Sequence, residues 1–159
     1  MFEASETWIA AQALRKEYAR KLLMFELKMS EVNNDNKASE CDEKRKIREY
    51  CMSTPNKRKF VMHCCLATLN NKCISVSKTR KLLCMSKVGM DSMVNECFEA
   101  KRILLDKDKS GRRRVKATEI TLETWMDYAD YVNIMVDKFD FVHLNSSRRA
   151  MEILTKKRT

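Results

Sequence analysis

Apolar residues recur at helical spacing through most of the chain and alternate strictly only once. Ala11, Leu14, Tyr18, Leu22, Phe25 and Met29 are separated by steps of 3, 4, 4, 3 and 4 residues. That seam predicts a helix from about Glu6 to Met29, with Ser5 as its cap. Residues 30–40, SEVNNDNKASE, are polar and predict a loop, and a short charged helix is expected from Cys41 to Cys51. Thr54 and Pro55 read as the cap and first residue of the next helix, where proline's missing N–H costs nothing. This helix is expected to reach Asn70, with Val61, Cys64, Cys65, Thr68 and Leu69 facing inward. After the apolar stretch Cys73-Ile74-Ser75-Val76, Ser77 is expected to cap a helix from Lys78 to Met85, with Leu82 and Leu83 inward. Ser86-Lys87-Val88-Gly89 reads as a turn. The helix beyond it gathers Met90, Met93, Val94, Cys97 and Phe98 on one face and Asp91, Ser92, Asn95, Glu96 and Glu99 on the other. Two helices about a short turn form a helix-turn-helix.

The period then changes. Ile103-Leu104-Leu105 is a short apolar run, residues 106–111 carry turn chemistry, and alternation begins at Arg114. Val115 and Ala117 fall on one side, Arg114, Lys116 and Thr118 on the other. A helix-turn-helix followed at once by a hairpin predicts a winged helix with a basic tip. Gly89 and Gly111, the chain's two glycines, fall at the expected interhelical and wing turns. Leu122, Trp125, Ala129, Val132, Val136 and Phe139 then step by 3, 4, 3, 4 and 3, a heptad seam over residues 121–139. Asn145 is expected to cap a last helix from Ser146 to Lys156. The predicted fold class is mainly α with a small β-hairpin wing, a winged helix-turn-helix with N- and C-terminal dimerisation helices. Its expected parts are an N-terminal helical arm at 1–52, the winged unit at 53–120 and C-terminal helices at 121–159. Leu14, Tyr18, Leu22 and Phe25, with Leu122, Trp125, Ala129, Val132, Val136 and Phe139, are read as dimerisation positions; packing within one chain is the alternative.

Composition sharpens this picture mainly through the distribution of charge. The 159 residues carry 32 Lys and Arg against 22 Asp and Glu, net +10. Residues 56–118 hold sixteen of those cations and five of the acids, net +11, while both flanks are close to neutral. A positive field focused on the winged unit attracts a polyanion, and nucleic acid is the expected one. The alternative is a solvated basic surface. Two glycines and one proline leave no glycine-rich phosphate loop.

The seven cysteines are odd in number, no two have Cys-x-x-Cys spacing, and the only histidines are His63 and His143. No metal site or cofactor is expected on that pattern. Thiols on apolar helical faces behave as small hydrophobes, so they read as reduced core residues of a cytoplasmic protein. No Ser/His/Asp set can be placed, and the chain does not read as an enzyme. The N-terminal residues lack a secretory pattern, no apolar run is long enough to span a bilayer, and no membrane partner is expected.

The segment FVMHCCLATLNNKCISVSKTRKLLCMSKVGMDSMVNECFEAKRILLDKDKSGRRRVKATEIT resembles the reading head of MarR-type winged-helix regulators, over roughly residues 60–120. The resemblance lies in the order helix, short strand, helix, recognition helix, wing and long helix. Gly111-Arg112-Arg113 stands where that family has its wing Asp-x-Arg, and Arg102 where it has a glycine. The resemblance implies a homodimeric transcriptional regulator with a small-molecule inducer, for which Trp125, Tyr128 and Tyr131 are candidate cleft residues.

In a winged helix the N-terminal end of the recognition helix enters the major groove. Ser86, Lys87, Asp91, Ser92 and Asn95 are then expected to face bases in double-stranded DNA. Lys78, Arg80 and Lys81 are expected near phosphates, and Arg112, Arg113, Arg114 and Lys116 on the backbone or in the adjacent minor groove. The competing reading is a winged-helix module that docks on a nucleic-acid enzyme or regulator, because fold alone does not set function.

Overall fold

The computed structural model describes residues 6–35, 41–140, 146–147, 149–150 and 153. Its elements run α1 (Glu6–Asp35), α2 (Asp42–Ser53), α3 (Pro55–Leu69), β1 (Ile74–Ser75), α4 (Val76–Leu82), α5 (Lys87–Glu99), β2 (Ile103–Lys107), β3 (Arg113–Ala117) and α6 (Glu119–Phe139). The chain divides into two compact units, Ser39–Tyr128 and a second formed by Met1–Ala38 with Ala129–Thr159.

Hydroxyl caps set the phase of the helices in the first unit. Thr54 Oγ1 accepts the Lys57 amide at 3.2 Å, with Pro55 at the first helical position. Ser75, not Ser77, caps α4, its Oγ accepting from the Lys78 amide at 3.4 Å. The helix starts earlier than expected because Val76 is buried and already points inward. Ser86 caps α5 through a 3.1 Å bond from the Gly89 amide. Residues 87–89 are therefore helical rather than a turn, and a Cβ on Gly89 would stand 3.1 Å from the Ser86 hydroxyl. The left-handed residue of the interhelical turn is Cys84, at φ 52°.

Helix ends follow one pattern. Beyond α3, α4 and α5 the chain passes through Asn71, Cys84 and Lys101 at φ 53°, 52° and 55°. The next amides, Lys72, Met85 and Arg102, reach back to the Ala67, Arg80 and Cys97 carbonyls at 2.8, 3.1 and 2.8 Å. These are Schellman stops made without glycine.

β3 is the central strand of a three-stranded antiparallel sheet ordered β1-β3-β2. Ile74 lies opposite Val115, and Ile103 opposite Ala117. Val115 joins Phe60, Val61, Cys64, Val94 and Cys97 in a fully buried core shared by sheet and helices. Thr68 ties α3 to β3: its hydroxyl donates to the Cys64 carbonyl at 2.8 Å and accepts the Ala117 amide at 2.9 Å. Helix α2 adds Ile47, Tyr50 and Cys51 to the same core. Lys44 links α2 to the start of α6 through Asp127 at 2.7 Å and Glu123 at 3.6 Å. Leu69, Leu82 and Phe98, expected inside, are exposed. Each lies in the final turn of its helix, where the cylinder has run past the edge of the core.

The second unit contains α1 and the later part of α6. Phe25 and Phe139 meet edge to face at 6.1 Å, and Met29 and Met135 are buried. The loop expected at 30–40 is corrected in its first half, since residues 30–35 continue α1; residues 36–40 lie outside the described residues. The extension contains no glycine or proline, and each residue added to a growing helix gains a hydrogen bond against a small propensity cost. The expected caps Ser5 and Asn145 also lie outside the described residues. Ser146, Ser147, Arg149, Ala150 and Ile153 are helical. No helix among the described residues is long and apolar enough to cross a membrane.

Candidate nucleic-acid interface

Helix α5 presents two chemically different faces. Met90, Met93, Val94 and Cys97 are buried, whereas Val88, Ser92, Asn95 and Glu99 are exposed on the opposite side. Ser86 is exposed at the N-terminus, but its oxygen is occupied as the cap. Lys87 follows it, also exposed.

Two acidic groups on this helix are each held by a cation from another element. The Asp91 carboxylate binds the Arg113 guanidinium of β3, with about a third of each side chain exposed. Glu96 binds Lys57 of α3 at 3.2 Å. Lys57 and Arg102 also stand 4.6 and 4.2 Å from the centre of the Tyr50 ring. Asp91 is thus engaged with the wing rather than standing free as an acceptor for a base. The same contact brings the start of β3 alongside the first turns of α5.

The wing turn is built around Asp108. Its Oδ1 accepts from the Ser110 amide at 2.9 Å, the Ser110 hydroxyl at 2.6 Å and the Arg112 amide at 2.9 Å. These bonds, the Ser110 hydroxyl first among them, hold the Asp108 carboxyl below its ordinary range. Main-chain bonds close the loop, from the Gly111 amide to the Asp108 carbonyl at 2.8 Å and from the Asp108 amide to the Arg112 carbonyl at 3.0 Å. Gly111 sits at φ 77°, a left-handed turn position that favours glycine. Arg112 and Lys116 are exposed, and Arg114 lies 3.7 Å from Asp108 while half its side chain stays in solvent.

On α4, Lys78 and Lys81 are exposed, whereas Arg80 turns back to the Met85 carbonyl at 3.4 Å. Of the residues expected to meet DNA, Asp91 and Arg113 are joined to one another, and Ser86 and Arg80 serve local structure. Lys78, Lys81, Lys87, Ser92, Asn95, Arg112, Arg114 and Lys116 reach solvent. Sequence reasoning missed Lys57, whose partner Glu96 is remote in the chain, and the anchoring role of Asp108. It also passed over Val88, although a helical wheel places it opposite the buried face.

The positions read as dimerisation residues divide between the two units. Leu122 and Trp125 pack against the winged core, with Trp125 edge to face with Tyr128 at 5.5 Å. Arg58 stands 5.8 and 6.0 Å from those two ring centres. Leu14, Tyr18, Phe25, Val132, Val136 and Phe139 are half-buried, while Leu22 and Ala129 are exposed. Among the described residues no group of three or more His, Cys, Asp or Glu side chains is arranged to hold a metal ion.

The helices α3, α4 and α5, the strand order β1-β3-β2 and the turn around Asp108 define a winged helix-turn-helix. Neither a protein-family model nor a curated protein matches the sequence. Solved structures similar to the chain include the heme sensor protein PefR in complex with heme and carbon monoxide, at 17% identity and TM-score 0.42, over 72% of this chain and 83% of that one. MepR, a transcription regulator of the Staphylococcus aureus multidrug efflux pump MepA, aligns at 12% identity and TM-score 0.38, over 89% of this chain and 93% of that one. The adhesin competence repressor AdcR from Streptococcus pyogenes aligns at 11% identity and TM-score 0.40, over 87% of this chain and 96% of that one. At such figures the fold assignment rests on the chain's own strand order and register.

Proposed function

We propose that the chain is a DNA-binding transcriptional regulator that acts as a homodimer, with α5 in the major groove and the wing on the backbone or in the adjacent minor groove. The observation that carries this reading is the neutralisation of two α5 acids. Asp91 and Glu96 would repel phosphate if left free, and each is held by a cation of the same unit. What remains toward solvent on this side of the helix includes Lys87, Val88, Ser92 and Asn95, with Glu99 at its C-terminal end. From Val88 to Asn95 that face carries no charge, with Lys87 at its start and Glu99 only in the last turn, which suits base edges flanked by phosphates. Asn95 is suited to adenine and Lys87 to guanine. Lys78 and Lys81 would meet the backbone from α4, and Arg112, Arg114 and Lys116 from the wing.

Two copies give the reading its symmetry, since paired recognition helices one helical turn apart match a palindromic site. The exposed apolar residues of α1, including Ile9, Leu23 and Leu27, supply surface for the second copy. A small-molecule inducer belongs to this reading through the family resemblance. Size-exclusion chromatography with light scattering, run with and without mixed-sequence duplex at low and moderate salt, tests both parts. A two-chain mass is expected for the protein alone, and a two-chain mass plus duplex at low salt that is lost as salt rises. A single-chain mass, or no duplex retained at low salt, contradicts the proposal.

A further inference from the structure

Val88 has a greater exposed fraction than the other exposed large apolar residues of the described chain, at 80%. It lies in the first turn of α5, on the side opposite Met90, Val94 and Cys97, so no packing demand within the winged unit accounts for it. A β-branched side chain also lowers helix propensity at a solvent position, where a straight or polar chain would cost less. Val88, Ser92 and Asn95 follow one another at spacings of four and three residues, which sets them in one row along the helix. An apolar tip thus leads a row of neutral hydrogen-bonding groups, with the exposed Lys87 beside it. In the major groove the one apolar feature of a base pair is the thymine C5-methyl group, and it lies beside the donors and acceptors that Ser and Asn side chains read.

We infer that Val88 is a specificity-determining residue that packs on a thymine methyl in each half-site, next to the base pairs met by Ser92 and Asn95. This assignment depends on α5 being the recognition helix. The occupant is the methyl of thymine in duplex DNA, and the adjacent exposed Lys87 and the concentration of positive charge in the winged unit favour a nucleic acid over an apolar peptide at this position.

Selection of bound duplexes from a random pool with the full-length protein defines the preferred site. A thymine held at a fixed position beside the bases read by Asn95 is expected. Binding is then compared for that duplex and for one in which this thymine alone is replaced by uracil, which removes the methyl and keeps every hydrogen bond. Wild-type affinity is expected to fall about fourfold, the effect of one buried methyl group at ~0.8 kcal/mol. The Val88→Ser variant is expected to bind both duplexes alike, and Val88→Thr, which keeps one methyl, to discriminate partially. Because Val88 is exposed, both variants should match the wild type in helix content and unfolding midpoint. If uracil substitution leaves wild-type affinity unchanged, or weakens wild type and Val88→Ser equally, the inference is overturned while the DNA-binding reading stands. If no duplex is retained from the pool at low salt, both fall.

Discussion

The buried thiols show most directly how the environment of single residues governs chemistry here. Burial pushes the Cys51 and Cys65 thiols up to about 12, against an ordinary value of 9.0, and raises Cys64 and Cys97 as well. A thiol that stays protonated is neither a nucleophile nor a metal ligand. Cys41, Cys73 and Cys84 are exposed. An aromatic disulfide reagent at pH 8 is therefore expected to titrate three thiols in the native protein, and the remaining four of the seven only in denaturant. Rapid reaction of more than three would contradict that burial. The same shifts fix a pH dependence. The unfolded chain loses the Cys51 and Cys65 protons from about pH 9, while the fold keeps those two to about 12. Their contribution is thus fully present below pH 9 and is lost as pH rises toward 12. Denaturant midpoints measured from pH 7 upward should fall above 9, and less steeply in a Cys51→Ala, Cys65→Ala variant.

The left-handed helix stops give a second test at this scale. A side chain at such a φ costs about 1 kcal/mol relative to glycine. Lys101, at φ 55°, is exposed and ends α5. Lys101→Gly is expected to raise the thermal midpoint by roughly 2–4 °C, and a calorimetric scan that shows a decrease would argue against the Schellman geometry. The same positions mark where sequence and structure part. The sequence suggests glycine for the turn between α4 and α5, but Cys84 takes the positive φ and Gly89 sits inside the helix, against its own cap. A sequence shows which residue tolerates a left-handed backbone more readily than which one is made to adopt it.

Among the elements, the wing depends most on a few polar atoms. Asp108 accepts three hydrogen bonds from Ser110 and Arg112, and these precede the strand that carries the basic row. Asp108→Ala leaves the turn to its main-chain bonds alone. Amide exchange at the tip is expected to quicken by roughly an order of magnitude, because local opening no longer has to break the bonds to the carboxylate. Exchange in α3 should stay unchanged. Equal acceleration in both places would show a global loss of stability instead. The wing strands were legible because period-two alternation at Val115 and Ala117 meets a glycine turn. The start of α4 was less so, since Ser75 and Ser77 are equally good caps and only the burial of Val76 decides between them. The seams at 11–29 and 122–139 predicted helices correctly, but a seam does not name its partner. Leu122 and Trp125 lie on the winged core, and Phe25 meets Phe139.

Across the whole molecule, charge is the organising quantity. The whole of the surplus positive charge falls between residues 56 and 118, within the winged unit. That distribution was visible in the sequence, whereas the pairings Asp91–Arg113 and Glu96–Lys57 were not, because they join elements distant in the chain. The pairings decide which cations remain free toward solvent. Arg113 is engaged inside the fold, so its removal should act through the wing's position. Arg112 and Lys116 are exposed and should act through charge.

Salt dependence of duplex affinity tests this most directly. If the proposed interface makes about six phosphate contacts per subunit, the logarithm of the association constant should fall with the logarithm of salt at a slope of about −5 per subunit. Removing both cations as Arg112→Ala, Lys116→Ala should reduce the magnitude of that slope by about two per subunit, with little change in unfolding midpoint. A slope near zero for the wild-type protein, or one untouched by the double substitution, would contradict a phosphate-binding wing.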